Sequence, residues 1–379
     1  MHILIAPNAF KNSLSAAAAA EAVLQGLSKS RLTFTGECFP VGDGGDGTGD
    51  LLIHRLGAQR IQTTARDPLG RMRTAYFGLT PDNNIAIIEM ANASGLRLLD
   101  EKERNPLGAS SAGTGDLIRA ALDKKPRHLF IGLGGSATVD GGAGILSALG
   151  IRFLDIQGHE LPPSPAGLTN LASIDTKGLD PRLAGIKLTV LCDVDNKLLG
   201  PQGTAAVFGP QKGATPDIVE VLETSLQHLT AITRRQLGTD LSSIPSGGAA
   251  GGVAAGLNAF LNASLVNGSD YFLTITGFDA ALDRSHLVIT GEGSIDEQTL
   301  QGKAPFGVAS RAKKKGLPVI GLAGRLPKET HPELDRYFDA LLPINLQPLT
   351  LAEALANTAT NLTVTARVLG NLLALPRHQ

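Results

Sequence analysis

His286-Leu287-Val288-Ile289-Thr290-Gly291-Glu292-Gly293-Ser294-Ile295-Asp296-Glu297-Gln298-Thr299-Leu300-Gln301-Gly302-Lys303 is a short apolar run followed by a dense set of polar side chains. The run is partly β-branched and suits a buried strand, and Gly291 and Gly293 predict a tight turn at its carboxyl end. That edge is where open α/β sheets bind ligands. Amide N–H groups at the two glycines suit an anion, Glu292 and Asp296 offer carboxylates to a divalent cation, and Lys303 adds a mobile positive charge. The competing reading is an ordinary strand-to-helix turn whose acids cap a helix N-terminus. It is not a P-loop: Ala304 follows Gly302-Lys303, so the magnesium-ligating hydroxyl is missing, and Asp296 stands where a Rossmann motif has its third glycine.

The pattern repeats at the start of the chain. His2-Ile3-Leu4-Ile5-Ala6 reads as a strand, followed by a loop carrying Lys11 and an alanine-rich helix from about Leu14 to Leu27, capped by Ser13 or Ser15. A second strand, Glu37 to Val41, leads into Gly42-Asp43-Gly44-Gly45-Asp46-Gly47-Thr48 and a helix over Gly49 to Leu56. The glycines permit close backbone approach to a ligand and place Asp43 and Asp46 near a helix N-terminus. Beyond Lys303 the order is helix (Gly307 to Lys315), strand (Leu317 to Leu322), strand (Phe338 to Pro343) and a final helix (Leu351 to Leu373). Strands alternating with helices at both ends predict an α/β protein of two domains. A doubly wound parallel-sheet domain, built from both termini, takes residues 1–60 and 285–379. A second α/β domain with a mixed sheet is inserted over 61–284.

Within the insert, alternating segments at 61–64, 71–77 and 85–90 read as antiparallel strands, joined by Asp67-Pro68-Leu69-Gly70 and Pro81-Asp82-Asn83-Asn84. A helix over Ser110 to Leu122 precedes the strand Arg127 to Ile131 and a third glycine loop, in which Gly134, Gly135 and Ser136 offer amides and a hydroxyl to a phosphate or carboxylate. No Gly-x-Ser-x-Gly and no nearby His supports Ser136 as a nucleophile. The strand Leu188 to Cys192 ends in Asp193-Val194-Asp195, where an aspartate can bind Mg²⁺ or take a hydroxyl proton. Lys212, a short loop later, is a candidate phosphate contact, and a helix follows over Pro216 to Leu237.

A chain of 379 residues exceeds the usual span of one core. Lys plus Arg number 34 against 35 Asp plus Glu, which removes the electrostatic case for nucleic acid or an anionic membrane as main partner. The 45 glycines fall in short clusters after apolar runs, as ligand loops do. Cys38 and Cys192 are expected to be buried thiols, and the eight scattered histidines leave no zinc spacing. With no signal peptide and no membrane-length apolar run, a cytoplasmic protein is expected.

Five motifs, taken together, resemble the bacterial glycerate kinase family over essentially the whole chain. They are Ala6-Pro7-Asn8-Ala9-Phe10-Lys11-Asn12-Ser13-Leu14, Asp43-Gly44-Gly45-Asp46-Gly47-Thr48, Gly132 to Gly142, Phe208-Gly209-Pro210-Gln211-Lys212-Gly213-Ala214, and Thr290-Gly291-Glu292-Gly293 with Asp296, Gln298, Thr299, Gly302 and Lys303. The family usually has Asp-Ser where Asn8-Ala9 stand, Glu at Asp46, Asn at Val139 and Pro at Lys197, so positions 8, 9, 139 and 197 are discounted as essential contacts. The resemblance implies a flavodoxin-like domain carrying both termini, an active site in the cleft between the domains, ATP as donor and 2-phosphoglycerate as product.

The expected chemistry is ATP-dependent, Mg²⁺-requiring phosphorylation of D-glycerate, a reaction that needs charge neutralisation and positioning more than covalent catalysis. Asp193 or Asp296 is expected to act as general base or metal ligand, with Asp43 and Asp46 supporting magnesium. Lys11 and Lys303 are expected to meet phosphate or the glycerate carboxylate. Gly44, Gly45, Gly134, Gly135, Ser136, Gly291 and Gly293 are expected to line the nucleotide or substrate, with Lys212 and Glu292 beside them. The alternatives are a kinase of another small hydroxy acid and a non-catalytic nucleotide or acid sensor, which an ATP-consumption panel separates.

Overall fold

The computed structural model describes residues 1–192, 194–329 and 332–376. Asp193 therefore lies outside the described residues. In chain order the first strands are β1 (His2–Ile5), β2 (Thr35–Cys38), β3 (Gln59–Arg66), β4 (Met72–Leu79), β5 (Ile85–Glu89), β6 (His128–Gly132) and β7 (Arg152–Leu154). The remainder are β8 (Ser173–Asp175), β9 (Lys187–Cys192), β10 (Ser264–Asn267), β11 (Leu287–Ser294), β12 (Val319–Arg325) and β13 (Ala340–Pro343). The chain divides into two compact units, residues 1–43 with 269–379, and residues 44–268.

The first unit holds a sheet ordered β13-β12-β11-β1-β2, with every neighbouring pair parallel. Counted within the unit this is the 2-1-3-4-5 order of flavodoxin-like folds, whose crossovers must be helices. The central strands are apolar on both faces, as helices covering a sheet from two sides demand: Ile3, Leu4, Ile5 and Val288 are fully buried. Helix Ala16–Ser28 packs along helix Thr358–Leu373. Ser15 caps the former, accepting from Ala18 N, while the Ser13 hydroxyl donates to Leu355 O and Thr358 Oγ1 and so ties the loop after β1 to the C-terminal helices. The single closing helix expected over 351–373 is two, Leu351–Ala356 and Thr358–Leu373. They part at Asn357, whose side chain donates back to Glu353 O.

The turn expected at Gly291 and Gly293 is absent. β11 runs on through both glycines to Ser294, pairing with β12 as far as Ser294 opposite Arg325. A Cβ at Gly291 would fall 2.2 Å from Leu322 O, so the residue is glycine for strand packing and not for a bend.

The second unit carries a mixed sheet ordered β10-β9-β6-β5-β4-β3. From β10 to β5 the strands are parallel, and β4 and β3 continue as the expected antiparallel hairpin, so the sheet changes sense at β5. An antiparallel ribbon, β7 with β8, packs on helix Pro216–Leu237. The unit boundaries differ from the expected 60 and 285 for identifiable reasons. Helix Thr48–Arg55 packs on β4 and β5, which draws it into the second unit. Helices Gly268–Ile275 and Phe278–Asp283 join the first, where Arg311 bonds Asp270 and Asp279 and Phe278 meets Phe39 edge-on at 5.0 Å. Cys192 is buried and Cys38 half-buried. Among the described residues no helix is long and apolar enough to cross a membrane.

Candidate functional site

In the first unit the carboxyl edge of the parallel sheet gathers one group of the expected residues. The loops after β1 and β2 are stitched to the end of β11 by backbone bonds, Asn8 N to Gly291 O (2.8 Å) and Val41 N to Pro7 O (2.9 Å). Asn8 Nδ2 donates to Asp43 Oδ2 at 2.8 Å, both side chains being buried. Position 8, discounted from sequence, thus positions an acid of the site.

Glu292 stands at the centre of this edge and is 7% exposed. Burial pushes its carboxyl up to about 7, the Lys303 and Lys11 ammoniums and the Thr299 hydroxyl pull it down, and Asp43 pushes it up. Lys11, Asp43, Glu292 and Lys303 therefore share one electrostatic neighbourhood. Asp296 reaches it indirectly. Its carboxylate caps the short 3₁₀ turn Glu297–Gln301, accepting from Gln298 N (3.0 Å) and from Ser294 Oγ (3.2 Å). Thr299 Oγ1 accepts from Asp296 N and donates to Glu292 Oε1 at 3.0 Å. The capping reading weighed for these acids describes the Asp296 carboxylate, and Lys303 begins the next helix, Ala304–Lys314.

In the second unit the loop after β6 lies against residues 44–46. Gly134 N donates to Gly44 O at 3.0 Å, and a Cβ on Gly134 would fall 2.2 Å from Gly45 C. Gly135 lies beside Asp46. Asp46 Oδ1 accepts from Arg97 Nη1 at 2.9 Å, and Arg97 Nη2 donates to Asn92. Lys212 is 2% exposed and donates to Ser136 Oγ (2.8 Å) and Thr138 O (2.7 Å). This unit therefore brings together Gly44, Gly45, Asp46, Gly134, Gly135, Ser136 and Lys212. Lys212, the candidate phosphate contact, is buried with its ammonium on the loop after β6.

Sequence reasoning missed Glu89, whose two carboxylate oxygens accept from Gly47 N and Gly49 N and hold the acidic glycine loop in place. The signal was present: a lone acid closes the apolar strand Ile85-Ala86-Ile87-Ile88 at its carboxyl end. Burial pushes the Glu89 carboxyl up to about 8, reinforced by the neighbouring Asp46, against the pull of Gly47 N–H and Arg97. The folded protein holds this proton where an exposed glutamic acid, at about 4.5, has lost it. The stability linked to it is thus fully present below pH 4.5 and lost as pH rises through about 8. Glu89→Gln should flatten that decline in thermal unfolding followed by circular dichroism across this range; an unchanged slope would show that Glu89 does not carry it.

No cluster of three His, Cys, Asp or Glu side chains that would cage a metal occurs among the described residues. Magnesium is commonly held by one or two carboxylates together with substrate phosphates. Asp43 and Glu292, buried and close enough for one charge to raise the other, suit that arrangement better than the capping Asp296.

Residues 3–374 match the profile of the Glycerate kinase family. A glycerate kinase of Bacillus subtilis (strain 168) is 44% identical over 97% of this chain and 96% of its own length. The glycerate 2-kinase of Escherichia coli (strain K12) is 39% identical over 99% and 98%. Among solved structures, a glycerate kinase 2 from Salmonella typhimurium LT2 superposes with a TM-score of 0.82 at 43% identity, covering 98% of each chain. With a profile spanning almost every residue and relatives matched end to end, the chain belongs to the glycerate kinase family.

Proposed function

We propose that this chain transfers the γ-phosphoryl group of ATP to the 2-hydroxyl of D-glycerate, with Mg²⁺ required. The observation that carries the reading is the convergence of Lys11, Lys303 and Asp43 on Glu292 at the ligand-binding edge of a parallel sheet. In the transfer, the substrate hydroxyl oxygen bonds to the γ-phosphorus as the bond to the β–γ bridging oxygen breaks. ADP departs, and the hydroxyl proton passes to a carboxylate. Lysines beside the phosphoryl oxygens stabilise the charge that develops, and the glycine loops bring amides close to the phosphates. Magnesium, when bound with nucleotide, neutralises phosphate charge; Asp43 and Glu292 are the acids that would hold it.

Phosphorus NMR of the product from ATP and D-glycerate tests acceptor, reaction and position at once. A phosphate on C2 has one proton on its carbon and gives a doublet. A triplet, from the primary hydroxyl, or no turnover with glycerate would overturn the reading.

Asp193 and Asp296 remain the candidates for the proton acceptor. Asp193→Ala and Asp296→Ala should each lower kcat by about 10²–10⁴-fold, the usual range for a general base. Full activity in either variant removes that residue. For Asp296 the cap gives a further distinction, since asparagine caps about as well as aspartate. Asp296→Asn should keep the melting temperature and lose turnover if the carboxylate does chemistry, and keep both if it only caps.

A further inference from the structure

Lys212 combines three features that a simple surface contact does not have. Its ammonium is buried, its partners are a hydroxyl and a carbonyl, and the carboxylate whose charge reaches it, Asp140, is engaged elsewhere. Asp140 accepts from Ser111 N, Ser111 Oγ, Gly142 N and Gly144 N. Arg104 is packed on the next residue, its backbone abutting Gly213. Burial lowers Lys212 to about 7, against the opposing pull of Asp140.

The hydrogen-bond chemistry of the triad is asymmetric. A carbonyl oxygen only accepts, so Lys212 directs an N–H to Thr138 O in either protonation state. A serine hydroxyl has one proton. Facing an ammonium, Ser136 Oγ accepts and its O–H is free to point elsewhere. A neutral amine keeps two N–H bonds but gains a lone pair, and in this buried place the Ser136 hydroxyl is the donor set beside it; donating there, it has nothing left to give. The adjoining Thr138 Oγ1 is buried with no hydrogen-bond partner, a second unspent polar group in the same loop.

We propose that Lys212 is a positioning residue acting through Ser136: its proton turns the Ser136 hydroxyl outward as a donor to a substrate anion, so that anion binding and proton uptake by Lys212 are a single event. The inference rests on the reading that the loop at 134–136 receives a phosphate or carboxylate of one substrate. By linkage, the anion tightens its own hold as pH falls through the Lys212 titration and loosens as pH rises above it.

The test is isothermal titration calorimetry of the full chain at pH 7.5, with D-glycerate and MgATP titrated separately in two buffers of different ionisation heat. For one of the two ligands the wild type should take up about half a proton per site, with affinity weakening towards tenfold per pH unit above neutrality. Ser136→Ala should bind that ligand about tenfold more weakly, the loss of one charge-assisted hydrogen bond, and show no uptake. Lys212→Arg, which stays charged, should bind without pH dependence across this range. Wild-type binding with no proton uptake, or full uptake retained in Ser136→Ala, overturns the role of Lys212 while leaving the loop's reading intact. Unaltered binding of both ligands by Ser136→Ala overturns the loop's reading itself.

Discussion

Lys303→Met should lower kcat/KM by about 10²–10³-fold, the loss typical of removing one donor aimed at developing charge in a site screened from water. The side chain begins helix Ala304–Lys314 but makes no side-chain cap, so the same change should leave the melting temperature nearly unmoved. Its electrostatic partner is Glu292, on which Lys303 exerts the largest charge effect. Without it, the Glu292 carboxyl should titrate higher still, and any limb of the pH profile belonging to that group should move to higher pH. Steady-state kinetics with both substrates varied checks the claim. A variant with wild-type kcat/KM would take Lys303 out of the reaction and with it the convergence on Glu292 that supports phosphoryl transfer. Lys11→Met should show the same pattern, since Lys11 acts on the same carboxyl from the loop after β1.

The second large effect is steric. In Gly134→Ala the new methyl would meet Gly45 C at 2.2 Å and Asp46 N at 2.3 Å, backbone atoms that cannot rotate away. The loop after β6 and the acidic glycine loop must separate, breaking the bond from Gly134 N to Gly44 O. Overpacking of this kind costs about 1–3 kcal/mol. In a domain of this size that lowers the unfolding temperature of residues 44–268 by roughly 2–12 °C. Activity should fall further than stability does, because Asp46, Gly135 and Ser136 move with their backbones. Differential scanning calorimetry with an activity assay below the transition separates the two losses. Full activity in a folded Gly134→Ala protein would show that these loops need not touch.

Much of this was legible from the residues. Apolar runs followed by polar loops marked β1, β2, β6, β9 and β11, with glycine and acid together after β2, β6 and β11, and helix Pro216–Leu237 begins and ends where its capping Thr215 and terminal Gly238 say it should. What escaped notice shares a cause: its meaning lies in contacts between segments distant in sequence. Gly291 and Gly293 look like a turn until the strand is seen to run through both, with Leu322 on the neighbouring strand leaving no room for a side chain at Gly291. Glu89 looks like the end of a strand until the N–H groups of Gly47 and Gly49 are found on its carboxylate. Asn8 was set aside for departing from a family pattern, yet its amide fixes Asp43. The strands β7, β8 and β10 are three or four residues each, too brief for a period to register.

The position of β1 has a consequence for how the chain is made. β1 is an interior strand, flanked by β2 on one side and by β11 on the other. Its second neighbour is synthesised only after the whole of residues 44–268 has left the ribosome. That intervening stretch contains every strand of its own sheets, so it can close while the first two strands wait with an edge unpaired. On the ribosome the middle of this protein is therefore finished before its beginning, and an open parallel edge must be kept from other nascent chains for most of the time translation takes.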